Sequence, residues 1–78
     1  LLTWTEAVTD AVRRLAAGRP ERTFTRKELL ESEGLRMCAE TGTIGKTPMQ
    51  TVSRELQQLR DAGVIEFLDN RGTYRLTE

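Results

Sequence analysis

Apolar residues recur at three- and four-residue intervals in "TWTEAVTDAVRRLAAG", where Ala7, Val8, Ala11, Val12 and Leu15 alternate with polar positions. At about 100° per residue that spacing gathers them on one side of a helix. The pattern predicts a first helix over residues 5–17, with Thr5 as N-cap and Gly18 as its stop. The polar stretch "GRPERTFT" follows, in which Phe24 between two threonines reads as a brief extended piece. "TRKE" then matches a capping box, in which the Thr25 hydroxyl meets the amide three residues on and Glu28 reaches back. A second helix is expected over 26–40, with Leu29, Leu30, Leu35 and Met37 toward the core and Gly34 weakening its middle.

Residues 41–46 read as a loop. Thr47 and Pro48 offer an N-cap and a first-turn proline, and Gln50 completes a second box. Met49, Val52, Leu56 and Leu59 carry the apolar stripe of a third helix over 48–62, and Gly63 supplies the left-handed stop. "VIEFL" and "TYRL" are β-rich runs separated by "DNRG", which predicts a hairpin over 64–76 with Asn70 and Gly72 where positive φ is needed. The order of helix, short strand, helix, loop, helix and hairpin gives a mostly α chain with a small β-hairpin, an α+β fold of the winged helix-turn-helix type. A chain of 78 residues supports one domain with one modest core.

Composition narrows the chemistry. There is no histidine and only one cysteine, Cys38, so neither an internal disulfide nor a zinc or iron–sulfur ligand set is available. Cys38 and Met37 read as core or near-core residues in a reducing, intracellular compartment. No apolar run approaches the ~20 residues of a membrane helix, and no signal-peptide pattern follows Leu1-Leu2. Such a start is expected of a piece of a longer protein. Nothing resembles a Ser–His or Cys–His set or a nuclease core, so no catalytic residue, cofactor or metal is expected. Formal net charge is zero, so any case for a nucleic-acid partner rests on where the charges sit rather than on how many there are.

The "GKT" of residues 45–47 raises the question of a nucleotide loop. A phosphate-wrapping loop needs a glycine five residues before Gly45 and a buried strand ahead of it; the position holds Glu40, and no strand precedes. The same residues suit a different task. Gly45, Lys46 and Thr47 lie at the start of helix three, where unpaired amides and the helix dipole favour an anion such as a DNA phosphate. Simple capping is the plainer use of the same residues.

The outward face of helix three comprises Gln50, Thr51, Arg54, Gln57, Gln58 and Asp61, with Glu55 to one side. Amides, a hydroxyl and an arginine are groups that read base edges, Gln pairing with adenine and Arg with guanine in the major groove. Solvated filler is the alternative use of such residues. Asn70 and Arg71, at the tip of the hairpin, suit a phosphate or minor-groove contact. Arg13, Arg14, Arg26 and Lys27 could flank a duplex, but each is near a carboxylate and reads rather as a solvated charge; Arg60 and Arg75 read as structural partners of Asp61 and Glu66. Trp4 can close the core or lie against a duplex.

"LTWTEAV", "FTRKELL" and "ELQQLRDAGVIEFLDNRGTYRL" together resemble the C-terminal winged-helix domain of methyl-directed restriction endonucleases of the DpnI or Dam-replacing type. "AETGTIGKTPMQTVSRELQQLRD" is similar to the related domain appended to HNH-type endonucleases. The likeness spans essentially the whole chain. At the opening of helix three this chain carries "QTVSREL" where the DpnI-type pattern is more basic. The resemblance implies a non-catalytic reader of double-stranded, adenine-methylated DNA, joined to a nuclease domain of the same chain in the cytoplasm of a prokaryote. Carried over by position, helix three from Thr47 to Gln58 is the recognition helix, "DNRG" is the wing, and Trp4 matches a family tryptophan. Two rivals stand beside it: a transcription-regulator winged helix and a protein-interaction module.

Overall fold

A computed structural model describes residues 1–44, 49–69 and 71–77. Helix α1 spans Trp4–Ala17. A 3-10 turn at Pro20–Arg22 leads into strand β1, Thr23–Thr25. Helix α2 spans Arg26–Thr41, α3 Met49–Asp61, β2 Ile65–Phe67 and β3 Thr73–Leu76. Three helices thus accompany a small antiparallel sheet of order β1-β3-β2. The extended piece around Phe24 is its third strand, pairing β3 with Phe24 opposite Tyr74. On the other side Phe67 also faces Tyr74. The Tyr74 ring therefore sits between two aromatic neighbours, at 5.3 Å from Phe24 and 4.8 Å from Phe67.

Helix α1 begins one residue earlier than its apolar stripe suggests, because its cap is Thr3 and not Thr5. The Thr3 hydroxyl accepts from the Glu6 amide at 3.2 Å, and Glu6 Oε1 accepts from the Thr3 amide at 3.0 Å. The Thr3-Trp4-Thr5-Glu6 spacing is that of a capping box. Thr5 is left free to donate across the fold, to Glu55. At α2 the box forms as its sequence indicates, between Thr25 and Glu28. This helix continues unbroken through a buried Gly34 to Thr41 and ends at Gly42, where the Thr43 amide donates to the Cys38 carbonyl at 2.9 Å.

The apolar positions fill one interior. Ala7, Val8, Ala11, Val12 and Ala16 of α1 meet Leu29 and Met37 of α2, Val52, Leu56 and Leu59 of α3, and Phe24, Ile65, Tyr74 and Leu76 of the sheet. Cys38 is buried beside Met37. Three assignments from periodicity are corrected. Leu35 is 87% exposed, because it lies on the outer side of α2, two positions short of Met37. Met49 is 57% exposed, since the first turn of α3 projects beyond the interior that Val52 and Leu56 reach. Glu55, expected at the side of α3, is buried; it sits one residue before Leu56, against the start of α1.

Gly63 ends α3 at φ +81°, the left-handed stop its position indicates. In the hairpin, the Leu68 amide donates to the Thr73 carbonyl at 3.0 Å and closes the loop. Asp69 organises it: one carboxylate oxygen accepts from the Arg71 amide at 2.8 Å and the Thr73 amide at 3.2 Å. Among the described residues no helix is long and apolar enough to cross a membrane.

Candidate functional site

Three elements meet on one side of the molecule: the outer face of α3, the first turn of α2 and the β2–β3 hairpin. The Arg26 amide, at the head of α2, donates to the Gly72 carbonyl at 2.9 Å and fastens the helix to the hairpin. Gly72 itself has φ +90°, and a side-chain carbon there would stand 3.6 Å from Arg26 Cβ and 3.9 Å from the Tyr74 hydroxyl. The space would admit a side-chain carbon in ordinary contact, so it is the positive φ that favours glycine here. From this anchorage the Arg26 guanidinium reaches α3, donating to the Ser53 hydroxyl at 3.2 Å.

Two hollows follow from the meeting of these elements. Arg26, Ser53, Gln57, Phe67, Asp69, Gly72 and Tyr74 line a cavity of about 180 Å³ between α3 and the hairpin. Thr25, Arg26, Lys27, Leu30, Glu31, Met49, Arg71 and Gly72 line a more apolar groove of about 330 Å³ between α2 and the start of α3. Arg26 and Lys27, adjacent in the sequence, therefore share one rim with the distant Arg71.

On α3, Gln50, Arg54, Gln57, Gln58 and Asp61 are exposed and Thr51 is half-buried, as the helical spacing requires. Among the described residues, the side chains of Gln50, Thr51, Arg54, Gln57 and Gln58 make no hydrogen bond or ion pair. Asp61 does, with Arg60 at 3.3 Å. Arg71 is exposed on the hairpin. Trp4 is half-buried against the core at the start of α1 and lines neither hollow. Lys46, Thr47 and Asn70, and with them the "GKT" cap, lie outside the described residues.

The charges are sorted by location. Arg14 pairs with Glu33 at 2.6 Å, Arg36 with Glu40 at 3.6 Å, Arg19 with Glu28, and Arg75 with Glu66. Arg60 lies 4.6 Å over the Phe67 ring as well as beside Asp61. Arg60 and Arg75 thus have the structural partners their positions suggest. Among the described residues, the cations without an ion pair are Arg22, Arg26, Lys27, Arg54 and Arg71. All but Arg22 belong to α3 or to the elements bordering it. The carboxylates of Glu31 and Asp69 border the same hollows, likewise without an ion pair among the described residues.

Two titrating groups flank this surface. The Arg71 amide first, and the Thr73 amide with it, hold the Asp69 carboxyl below its ordinary range. Burial pushes the Tyr74 hydroxyl up, so it remains a proton donor throughout the physiological range. Periodicity missed Arg26 and Lys27, whose signal was their place: cations in the first turn of a helix oppose its dipole, which prefers anions there. It also missed Ser53 and Tyr74, whose proximity arises only when α2, α3 and the hairpin converge. Elsewhere, Glu55 accepts a hydrogen bond from the Thr5 hydroxyl at 3.0 Å, coupling α3 to the head of α1.

Among the described residues no cluster of His, Cys, Asp or Glu is placed to hold a metal ion. Compared with family models, curated proteins and solved structures, the chain matches none of them.

Proposed function

We propose that this chain is a winged helix-turn-helix module that binds double-stranded DNA, with α3 as its recognition helix and the β2–β3 hairpin as its wing. The observation that carries the reading is the sorting of charge. Carboxylates occupy Arg14 of α1 and Arg36 on the far side of α2, while Arg26, Lys27, Arg54 and Arg71 form no ion pair around α3, where Glu31 and Asp69 are the neighbouring carboxylates. Leaving cations uncompensated on one surface of a neutral domain makes physical sense when a polyanion supplies the missing charge. The unbonded amides and arginine of α3 add groups that match base edges in a major groove.

The resemblance to methyl-directed endonucleases extends the reading to N6-methyladenine, with the module non-catalytic and a nuclease domain of the same chain doing the cutting. N6-methyladenine keeps one N–H donor and adds a methyl group in the major groove, so a reader needs an acceptor beside an apolar surface. Gln50 supplies an amide oxygen, and its neighbour Met49 is more than half exposed. Burying one methyl contributes about 0.8 kcal/mol, a few-fold in affinity. Reading both methyls of a palindrome squares that factor. Equilibrium binding to fully methylated, hemimethylated and unmethylated duplexes of one sequence tests this. A stepwise rise in affinity with each methyl supports it; equal affinities remove methyl reading and leave DNA binding standing.

Protein docking is the second reading, favoured by the apolar groove beside Leu30 and Met49 and by the exposure of Leu35 and Ile44, at 87% and 98%. Such an interaction would show little dependence on salt, whereas phosphate contacts impose a steep one.

A further inference from the structure

We infer that the cavity between α3 and the wing seats one phosphate of the DNA backbone, an assignment that rests on the DNA-binding reading above. The Tyr74 side chain carries the inference. Its residue is 5% exposed, its ring is fixed between Phe24 and Phe67, and its hydroxyl lines the cavity without a hydrogen bond among the described residues. A hydroxyl on a ring fixed in this way, open to the cavity and without a protein acceptor among the described residues, is a donor positioned in advance for an acceptor that enters there.

The other donors point to the chemistry of what enters. The Arg26 guanidinium is anchored at both ends, by its backbone amide to the wing and by one nitrogen to Ser53. Ser53 accepts from Arg26, so its own proton is free to donate. Gln57 offers an amide NH₂ from the next turn of α3. A cation and three neutral donors around one hollow suit an oxyanion with several acceptor oxygens. The carboxylate on the rim, Asp69, turns one oxygen to the wing amides of Arg71 and Thr73. The location selects the source: a strand bordering the α3 groove must pass between α3 and the wing, which is where the cavity opens. Such a contact fixes register on the duplex and carries no sequence preference.

The test compares duplex binding by the whole chain and three variants, Tyr74→Phe, Arg26→Gln and Arg54→Ala. Tyr74→Phe keeps the ring and its packing and removes only the donor. It should weaken binding roughly three- to thirty-fold on every duplex sequence, with an unchanged salt slope because no charge is lost. Arg26→Gln should also weaken binding and lower the salt slope by about 0.9. The penalty of Tyr74→Phe should vanish on a duplex with a methylphosphonate at the seated position. Tyr74→Phe binding as tightly as the parent chain, while Arg54→Ala loses affinity, overturns the phosphate seat and spares the DNA reading. No duplex binding by the parent chain sinks both. Inorganic phosphate shifting the Tyr74 ring resonances, with duplex affinity indifferent to Tyr74→Phe, marks a free-phosphate site and overturns the inference.

Discussion

Raising the salt concentration should loosen DNA binding by an amount that can be worked from the unpaired cations. Arg26, Lys27, Arg54 and Arg71 border the α3 surface without carboxylate partners among the described residues. If each neutralises one phosphate, the slope of log K against log salt is about −3.6, at about −0.9 per contact. Between about 50 and 200 mM salt the affinity then falls by about 150-fold. Fluorescence anisotropy on a labelled duplex across a salt series measures the slope. Arg71→Ala should lower it by about 0.9. Arg14→Ala and Arg36→Ala should leave it alone, because these arginines pair with Glu33 and Glu40 instead. A parent slope near zero, or an equal response to Arg14→Ala and Arg71→Ala, would refute the argument from charge sorting.

The remaining predictions concern the scaffold. Leu56→Ala should destabilise the chain by about 2–5 kcal/mol in urea unfolding, as Leu56 is fully buried, whereas Leu35→Ala should change it by less than about 0.5 kcal/mol. The β2–β3 hairpin should lose order in acid. The Asp69 carboxyl is held below its ordinary value near 3.8, so its stabilising effect is present above that value and is lost as pH falls through the lowered one. Exchange of the Arg71 and Thr73 amide protons should quicken over that acid range, beyond the intrinsic pH dependence of exchange, and Asp69→Asn should abolish the excess.

The helices were legible in the sequence because each carries its own local signals. The Thr25–Glu28 box, the Val52-Leu56-Leu59 stripe and the left-handed Gly63 act over a few residues, and all appear in the fold. Errors fell where the deciding contact is distant. Thr5 has the right residue type for a cap, but the Glu that completes the box follows Thr3 by three. Glu55 has a surface residue's chemistry and is buried because α1 brings a hydroxyl to it. Leu35 and Met49 are apolar, and no neighbouring element among the described residues covers them.

The candidate site divides in the same way. The α3 face could be read from periodicity, since exposure there follows from which residues its opposite side buries. Its borders could not. Arg26 and Tyr74 are 48 residues apart in the sequence, and only the β1–β3 pairing and the bond from Arg26 to Gly72 bring them to one cavity. Charge sorting is equally invisible in composition: the chain has 12 basic and 12 acidic residues, and pairs such as Arg14–Glu33 and Arg75–Glu66 form only when α1 packs on α2 and β2 pairs β3.

The most direct measurement of the central claim is duplex affinity after removal of the α3 surface alone, with Gln50→Ala and Arg54→Ala combined in a chain whose circular dichroism and unfolding midpoint match the parent's. Both residues are exposed and make no side-chain hydrogen bond or ion pair among the described residues, so the fold should be untouched. The account predicts at least a ten-fold loss of affinity, on the order of two lost polar contacts, and a flattened preference among duplex sequences. Unchanged affinity and preference in the folded double variant would contradict it.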